Sequence, residues 1–394
     1  MGQEILWAYD FVYLQEGIRV NSMVRALELV LFFTRGVALQ TWDHIGMFDR
    51  EVALYRRLQE CGVHVTFVTY GNSTDLRYAD RIRGICILCN RWSLPQKWYE
   101  RLLPWLHARY LRQANVLKTN QTKGSDVALR AAYHWKKPLV ARCGYMWSES
   151  VGQQQGQMSA AAQHARSIEA RIFSAASQII VTTPMMAADI TERIPESAKR
   201  IVIIPNYVEI DRFAPSDDVR WDYDVIFIGR ISPEKNVGAL LEAVESLPVK
   251  LCIIGTGELQ AEFQEKYAKL GERVFWSGNM PNKSLPAYLT RSRVFILPSH
   301  YEGHPKTLLE AMSCGLPVIG ADRPGIRELL RHGETGWLCG TDARSIREAI
   351  QHLLLHPDLC MRMGHNARQF VVENFSLERV VEIEMRVLTA VGGR

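Results

Sequence analysis

The chain reads as an α/β protein of two doubly wound, Rossmann-like domains. Three observations predict this. Short apolar runs of strand length alternate with amphipathic helical stretches, the pattern of β-α-β units and a parallel sheet. The alternation pauses around residues 201–206, I-V-I-I-P-N, and then starts again. At 394 residues the chain is also too long for one ordinary domain. An amino-terminal domain is therefore expected over residues 28–205 and a second over 206–375. A terminal helix over 376–394 is expected to pack back on the first domain. Residues 1–27 show no periodicity that joins the rest: they read as an extension, or Met23 stands nearer the true start. Ligands of doubly wound sheets bind beyond the carboxyl ends of the strands. With two such domains facing across a cleft, that cleft is the default site.

The elements follow in order. Leu29 to Thr34, L-V-L-F-F-T, is the first convincing strand, and a loop runs from Arg35 to Gly46. Residues 48–60 carry apolar side chains at 48, 52, 54, 55 and 58, a helical spacing that Gly62 ends. Strands are expected at 63–69, 82–88, 116–119, 138–142 and 178–182, with a helix at 126–135. The second half repeats the beat, with strands at 225–228, 251–254, 274–276, 294–297 and 317–320. Its helices fall at 237–245, 284–291, 307–313, 343–355 and 358–374. The stretch 207–222, with Pro215, Ser216 and several aspartates, reads as a linker.

Composition narrows the class. With 47% hydrophobic and 23% charged residues, the chain is an ordinary globular one. A net charge of +5 suits phosphate-bearing partners or an anionic membrane surface and falls short of a nucleic-acid binder, so no nucleic-acid partner is expected. Eight cysteines lack a paired framework. The single C-x-x-C, Cys86 and Cys89, cannot close a tetrahedral zinc site alone and reads as buried strand cysteines. A reducing cytoplasm is the expected compartment. Glu4 and Asp10 interrupt any signal peptide, no apolar run approaches the roughly 18 residues of a membrane span, and Leu6 stands where a myristoylation signal wants Ser or Thr.

The most informative stretch runs from Val294 to Glu310, V-F-I-L-P-S-H-Y-E-G-H-P-K-T-L-L-E. An apolar strand closed by Pro298 enters a polar loop with one glycine, and a helix follows with Thr307 near its start and Gly315 as its stop. Free backbone N–H groups and the helix dipole then point the same way, which makes an anion site bracketed by Glu302 and Glu310. Upstream, F-I-G-R-I-S-P-E-K-N ends another strand at Gly229 and puts Arg230 and Lys235 on a loop at the same sheet edge. Arginine offers phosphate a planar fork and lysine a compact charge. Two neighbouring features read as structural. Asp222-Tyr223-Asp224 has a metal-binding D-x-D spacing but precedes a strand, at the opposite edge. Gly255-Thr-Gly257-Glu258 lacks the third glycine of a dinucleotide fingerprint and fits a tight turn.

The segments G-R-I-S-P-E-K, H-Y-E-G-H-P-K-T-L-L-E-A-M-S-C-G-L-P-V-I, P-G-I-R-E-L and H-G-E-T-G-W-L resemble glycosyltransferase family 4. The resemblance is dense from about Asn206 to Phe375, thinner in the first domain and absent before residue 27. It implies the GT-B fold and retaining transfer from a nucleotide diphosphate sugar, which is a substrate; no cofactor and no metal are expected. By the same resemblance Arg230 and Lys235 hold the donor diphosphate and Glu302 faces the donor sugar. Backbone N–H groups around Lys306, Thr307 and Leu308, in the Gly303–His304 loop and helix start, meet the phosphate. Glu310 binds ribose, while Met280 lines the donor side. Fixed cations aimed at a leaving diphosphate lower the barrier to its departure.

In the first domain Trp42-Asp43-His44-Ile45-Gly46 stands where the family has a glycine loop facing the donor phosphates, a role that Gly46 fits. Trp42 and Asp43 are expected on the acceptor side, and Asp43 is open to two roles, binding an acceptor hydroxyl or capping the helix at 48–60. The family's mid-domain histidine is missing from Ala141-Arg142-Cys143-Gly144-Tyr145, and Arg142 or Asn120 is the substitute. Residues 97–112, K-W-Y-E-R-L-L-P-W-L-H-A-R-Y-L-R, allow two readings. One is a membrane-surface helix giving peripheral contact at the inner face of the membrane. The other is an ordinary helix that packs Leu102, Leu106 and Tyr110 inward and bends at Pro104. The expected function is sugar transfer to a glycan or lipid-linked acceptor in cell-surface polysaccharide or lipid-linked glycan synthesis. The alternatives are a nucleotide-sugar-binding scaffold of a polysaccharide assembly complex, and a sugar-nucleotide epimerase or hydrolase on the same fold.

Overall fold

A computed structural model describes residues 26–216 and 220–393. Residues 1–25 of the extension expected over 1–27 and the middle of the expected linker lie outside the described residues. The chain divides into two compact units. One holds the residues up to Ala38, Tyr55–Ile204 and those from Glu384 on; the other holds Leu39–Leu54 and Pro205–Ile383.

The first unit is built on a seven-stranded sheet. Its strands are β1 (Leu27–Phe32), β2 (Val63–Val68), β3 (Cys86–Leu88), β4 (Val116–Thr119), β5 (Leu139–Cys143), β6 (Gln178–Val181) and β7 (Ile201–Ile203). They run in the order β3-β2-β1-β4-β5-β6-β7, every pair parallel. Leu29, Leu31, Val116, Leu117, Val140 and Ile180 have no exposed surface, because helices cover both faces of the sheet. On β4 the fully buried Lys118 pairs with Glu384, which fastens the end of the chain to this sheet.

The second unit has six strands: β8 (Tyr223–Ile228), β9 (Leu251–Ile254), β10 (Val274–Gly278), β11 (Ser292–Leu297), β12 (Val318–Ala321) and β13 (Trp337–Cys339). Their order is β10-β9-β8-β11-β12-β13, again all parallel. Both orders have the doubly wound form, in which the winding reverses once. The reversal falls between β1 and β4 in the first unit and between β8 and β11 in the second. At such a point the loops leave the sheet in opposite directions and open a crevice past the carboxyl ends.

Several expectations need correction. The stretch Arg35–Gly46 is not all loop: Leu39–His44 forms a short helix, with Leu39 and Trp42 buried. Only Cys86–Leu88 of the expected strand at 82–88 pairs with β2. The strand β13 went unread because three residues carry little periodicity. In the linker, Phe213 is buried, and its carbonyl accepts hydrogen bonds from Ser313 Oγ (2.6 Å) and Arg368 Nη1 (3.2 Å). The stretch 97–112 is two helices, Gln96–Leu106 and Ala108–Gln113, separated at His107. Its inward face is Tyr99, Leu103 and Leu111, and Leu106 packs half-buried against the same core as expected, whereas Leu102 and Tyr110 are exposed. The helical phase was set one residue out, because leucine dominates both faces.

Candidate active site

The loops at the β8/β11 reversal bring together several of the residues singled out in the sequence. After β8 the chain passes Gly229 and Arg230 to a single 3-10 turn, Pro233–Lys235, which ends on Asn236 in the left-handed region (φ 55°). Asparagine tolerates that conformation. Its side-chain amide donates to the carbonyls of Pro298 (3.1 Å) and Thr341 (2.7 Å), so it ties the β8 loop to the β11 loop. The His300 amide donates to the Glu234 carbonyl at 2.9 Å and makes a second tie. Behind the β8 loop lies the turn after β9. A Cβ on Gly257 would stand 2.1 Å from the Ile231 carbonyl oxygen, so only glycine permits this approach. That explains the G-T-G-E sequence as close packing between two turns.

The tied loops bring Lys235 and Glu302 together. Lys235 Nζ lies 2.5 Å from Glu302 Oε1, and Ser299 Oγ donates to the same oxygen at 2.7 Å. Glu302 is buried and Lys235 largely so. Arg230, from the same loop, is mostly exposed, with its guanidinium 3.9 Å from Glu234. Beyond Gly303 and His304 the helix Lys306–Ser313 begins after Pro305, and no side chain caps it. Its first N–H groups thus form an electropositive end. His304 is buried with its ring 5.4 Å from that of Phe375, and its carbonyl accepts from Asn206 Nδ2 at 2.6 Å. The Lys306 side chain turns to Glu51, 2.6 Å away, and lies over the Tyr207 ring. Thr307 is half-buried and Leu308 is core.

One turn further on, Glu310 is buried. Its Oε1 accepts from Asn282 Nδ2 (2.8 Å) and Arg50 Nη1 (3.3 Å). Burial opposes the Arg50 charge, but Glu310 and then Glu51 outweigh it and hold the guanidinium above its ordinary pKa. The other oxygens of the pair, Glu310 Oε2 and Asn282 Oδ1, are buried and receive no hydrogen bond among the described residues. Gly46 packs here: its carbonyl accepts from the Asn282 amide (2.9 Å), and with φ 77° a Cβ would meet the Met280 carbonyl oxygen at 2.1 Å. Gly46 and Met280 thus share one contact, beside Glu310.

Residues 52–212 match the family described as Glycosyltransferase Family 4, and residues 216–370 match Glycosyl transferases group 1. The chain belongs to glycosyltransferase family 4. One curated relative of this family 4 member is the N-acetyl-alpha-D-glucosaminyl L-malate synthase of Bacillus anthracis, 33% identical over 37% of this chain and 38% of the relative. Another is the GDP-mannose-dependent alpha-(1-6)-phosphatidylinositol monomannoside mannosyltransferase of Mycolicibacterium smegmatis, 29% identical over 44% of this chain and 52% of the relative. The chain therefore matches about half or less of the length of these relatives. Among solved structures, the sucrose-phosphate synthase of Thermosynechococcus elongatus superposes with a TM-score of 0.76 at 20% identity. That match covers 92% of this chain and 99% of the other, and it shows the GT-B fold.

Other residues singled out in the sequence of this family 4 member sit on other elements. Trp42 is buried core, and Asp43 is exposed in the Leu39–His44 helix, its carbonyl accepting from the Gly46 amide at 3.0 Å. Both group with the second unit, together with Gly46. Asn120 and Arg142 meet at the carboxyl ends of β4 and β5 in the first unit, where Arg142 Nη1 approaches the Asn120 carbonyl at 3.4 Å. The D-x-D aspartates sit at the amino end of β8, where Asp224 pairs with Arg293 and Asp222 with Arg291, each at 3.1 Å. Sequence reasoning missed Ser299, Asn236, Arg50 and Asn282. Ser299, three residues before Glu302, was legible in principle; Arg50 lies 260 residues from Glu310 and left no local signal.

Proposed function

We propose that the chain is a retaining glycosyltransferase that moves a sugar from a nucleotide diphosphate sugar to a hydroxyl acceptor, in cell-surface polysaccharide or lipid-linked glycan synthesis. The observation that carries the reading is the grouping at the β8/β11 reversal. Lys235 pairs with Glu302 at 2.5 Å, Arg230 lies on the same loop as Lys235, and the Glu302 loop runs into an uncapped helix start. A leaving nucleoside diphosphate gains negative charge as the glycosidic bond breaks. Arg230, Lys235 and the helix N–H groups would take up that charge. Glu302, fixed by Lys235 and Ser299, would orient the donor sugar. The open acceptor oxygens of Glu310 and Asn282 suit a pair of donating hydroxyls such as a ribose diol.

Neither glutamate is placed as a covalent nucleophile in this reading. Attack and departure occur on one face of the sugar, and the leaving phosphate takes the acceptor's proton. In this reading Asn120 and Arg142 of the first unit serve the acceptor. With two cations and a helix end for the diphosphate, no metal is required, and turnover should persist in excess chelator. A relative whose name specifies GDP-mannose supports a nucleotide-sugar donor. All eight cysteines are free, which suits the reducing cytoplasm as its place.

The test is a thermal-unfolding panel of UDP, GDP and ADP sugars against NAD, followed by NMR of the product formed from the stabilising donor. The reading predicts that one nucleotide class raises the unfolding midpoint while NAD does not, and that the anomeric configuration is kept. Stabilisation by NAD alone, or inversion at the anomeric carbon, contradicts it. Sugar release at the same rate with and without acceptor would favour a hydrolase.

A further inference from the structure

The first unit carries an exposed aromatic stripe that neither its core nor the donor loops use. On the Gln96–Leu106 helix, Trp98 is 55% exposed, Leu102 36% and Trp105 55%. Their spacing of four and then three residues puts them on one face of the helix, one above the other. Tyr99 and Leu103, one position on, are buried against the sheet. The helix is thus apolar on both sides; the Trp105 ring meets that of His134 at 5.1 Å, yet more than half of each tryptophan still faces water. Tryptophan exposed twice on one short helix is costly in water.

Charge says what covers the stripe. Lys97 and Arg101 flank it at the preceding position on each turn, and Arg109 follows on the Ala108–Gln113 helix, all exposed. The Arg101 guanidinium lies over the Trp98 ring, 5.9 Å from its centroid. The only acidic residue between positions 91 and 113 is Glu100, and it is turned inward onto Arg35 at 3.2 Å. A face of tryptophan and leucine rimmed by unopposed lysine and arginine matches the interface of a bilayer with negative headgroups: the rings fit the headgroup level and the cations the surface potential. A protein partner would have to bring an acidic rim of its own. No helix among the described residues is long and apolar enough to cross a membrane, so the contact would lie in the plane of the surface.

We propose that the Trp98–Leu102–Trp105 face is a docking surface for an anionic lipid bilayer. It lies at the edge of the first sheet that matters for transfer. Arg35 follows β1 at its carboxyl end and holds both Glu100 on this helix and Asp126 (2.8 Å), so the start of the helix is fixed at the sheet edge that also carries Asn120 and Arg142. If the transferase reading holds, the acceptor side is thereby brought to the lipid surface, where a lipid-linked hydroxyl would be met.

The experiment is flotation of the full chain with vesicles of phosphatidylcholine alone or of phosphatidylcholine mixed with phosphatidylglycerol. The wild type should float with the mixed vesicles, and salt should release it. The double variants Trp98→Ser/Trp105→Ser and Arg101→Glu/Arg109→Glu should each lower partitioning at least about tenfold, at an unchanged thermal midpoint, since all four side chains are exposed. Phe275→Ser/Leu355→Ser, which removes two exposed apolar side chains of the second unit, should bind as wild type. Absence of binding to the mixed vesicles overturns the proposal, as does binding that survives both stripe variants. Equal binding to phosphatidylcholine alone overturns its electrostatic half. A concentration-dependent dimer in sedimentation that both stripe variants abolish would instead assign the face to a second copy. The readout needs neither donor nor acceptor, so its failure would leave the transferase reading standing.

Discussion

At the scale of single residues, the site holds charges by pairing them. Lys235 and Glu302 are each kept in place by the other, and Ser299 takes part in the same cluster. A charge removed from water and left alone is expensive, so truncating one partner strands the second. Glu310 is likewise held by a cation, accepting from Arg50 Nη1 at 3.3 Å. The residue with the clear pH consequence is elsewhere. His107, buried between the two helices at 96–113, meets the Tyr99 hydroxyl at 3.0 Å, and burial, helped by Arg91, lowers its pKa to about 4. Its neutral form belongs to the fold. As pH falls below about 6.5 the unfolded chain takes up a proton that the folded chain refuses, so stability declines from there to about 4 and then levels. The total is at most about 3 kcal/mol. His107→Gln should flatten the fall in unfolding midpoint between pH 6.5 and 4; a midpoint that falls as steeply as in the wild type would contradict this assignment.

At the scale of elements, strands with four or more buried residues were legible because parallel strands covered on both faces are continuous apolar runs. The Val294–Leu297 run and the helix before Gly315 needed nothing beyond the local sequence. What local sequence left out was phase and tertiary partners. The helix at 96–106 has apolar side chains on both faces, so spacing alone chose the wrong one to bury. Asn236 and Arg50 act on groups 62 and 260 residues away, a distance that no window spans. The glycines of the G-T-G-E turn were visible, but the reason for them was not: they let two loops touch backbone to backbone. Gly257→Ala should force the Arg230–Lys235 loop away from the turn, cost about 1–3 kcal/mol, and raise the donor KM more than it lowers kcat. Denaturant unfolding and donor titration would show it; wild-type values in both would mean that the loops do not depend on this contact.

At the scale of the whole molecule, the restart of the β-α beat after residue 206 announced two sheets, and both have the doubly wound order that places a crevice at one predictable gap. The position of residues 39–54, which group with the second unit, was not legible, because nothing in a helix records which sheet it will cover. The terminal helix was expected to pack on the first domain, but the charge pair that fastens it there was not legible. Lys118 on β4 and Glu384 form a fully buried pair in the first unit, and burial lowers the Lys118 pKa against the pull of Glu384. Lys118→Met alone should destabilise the protein by about 3–5 kcal/mol by leaving the carboxylate unpaired. Lys118→Met with Glu384→Leu should recover most of that loss in chemical denaturation. Equal losses from the single and double variants would mean that the two charges do not act as a pair.

The central claim is that the paired charges at the β8/β11 reversal carry sugar transfer, and steady-state turnover at saturating donor tests it most directly. With Glu302→Gln and Lys235→Ala each compared with the wild type, below the unfolding transition of each variant, the account predicts kcat lowered about a hundredfold or more. Near-wild-type kcat from either variant would contradict it.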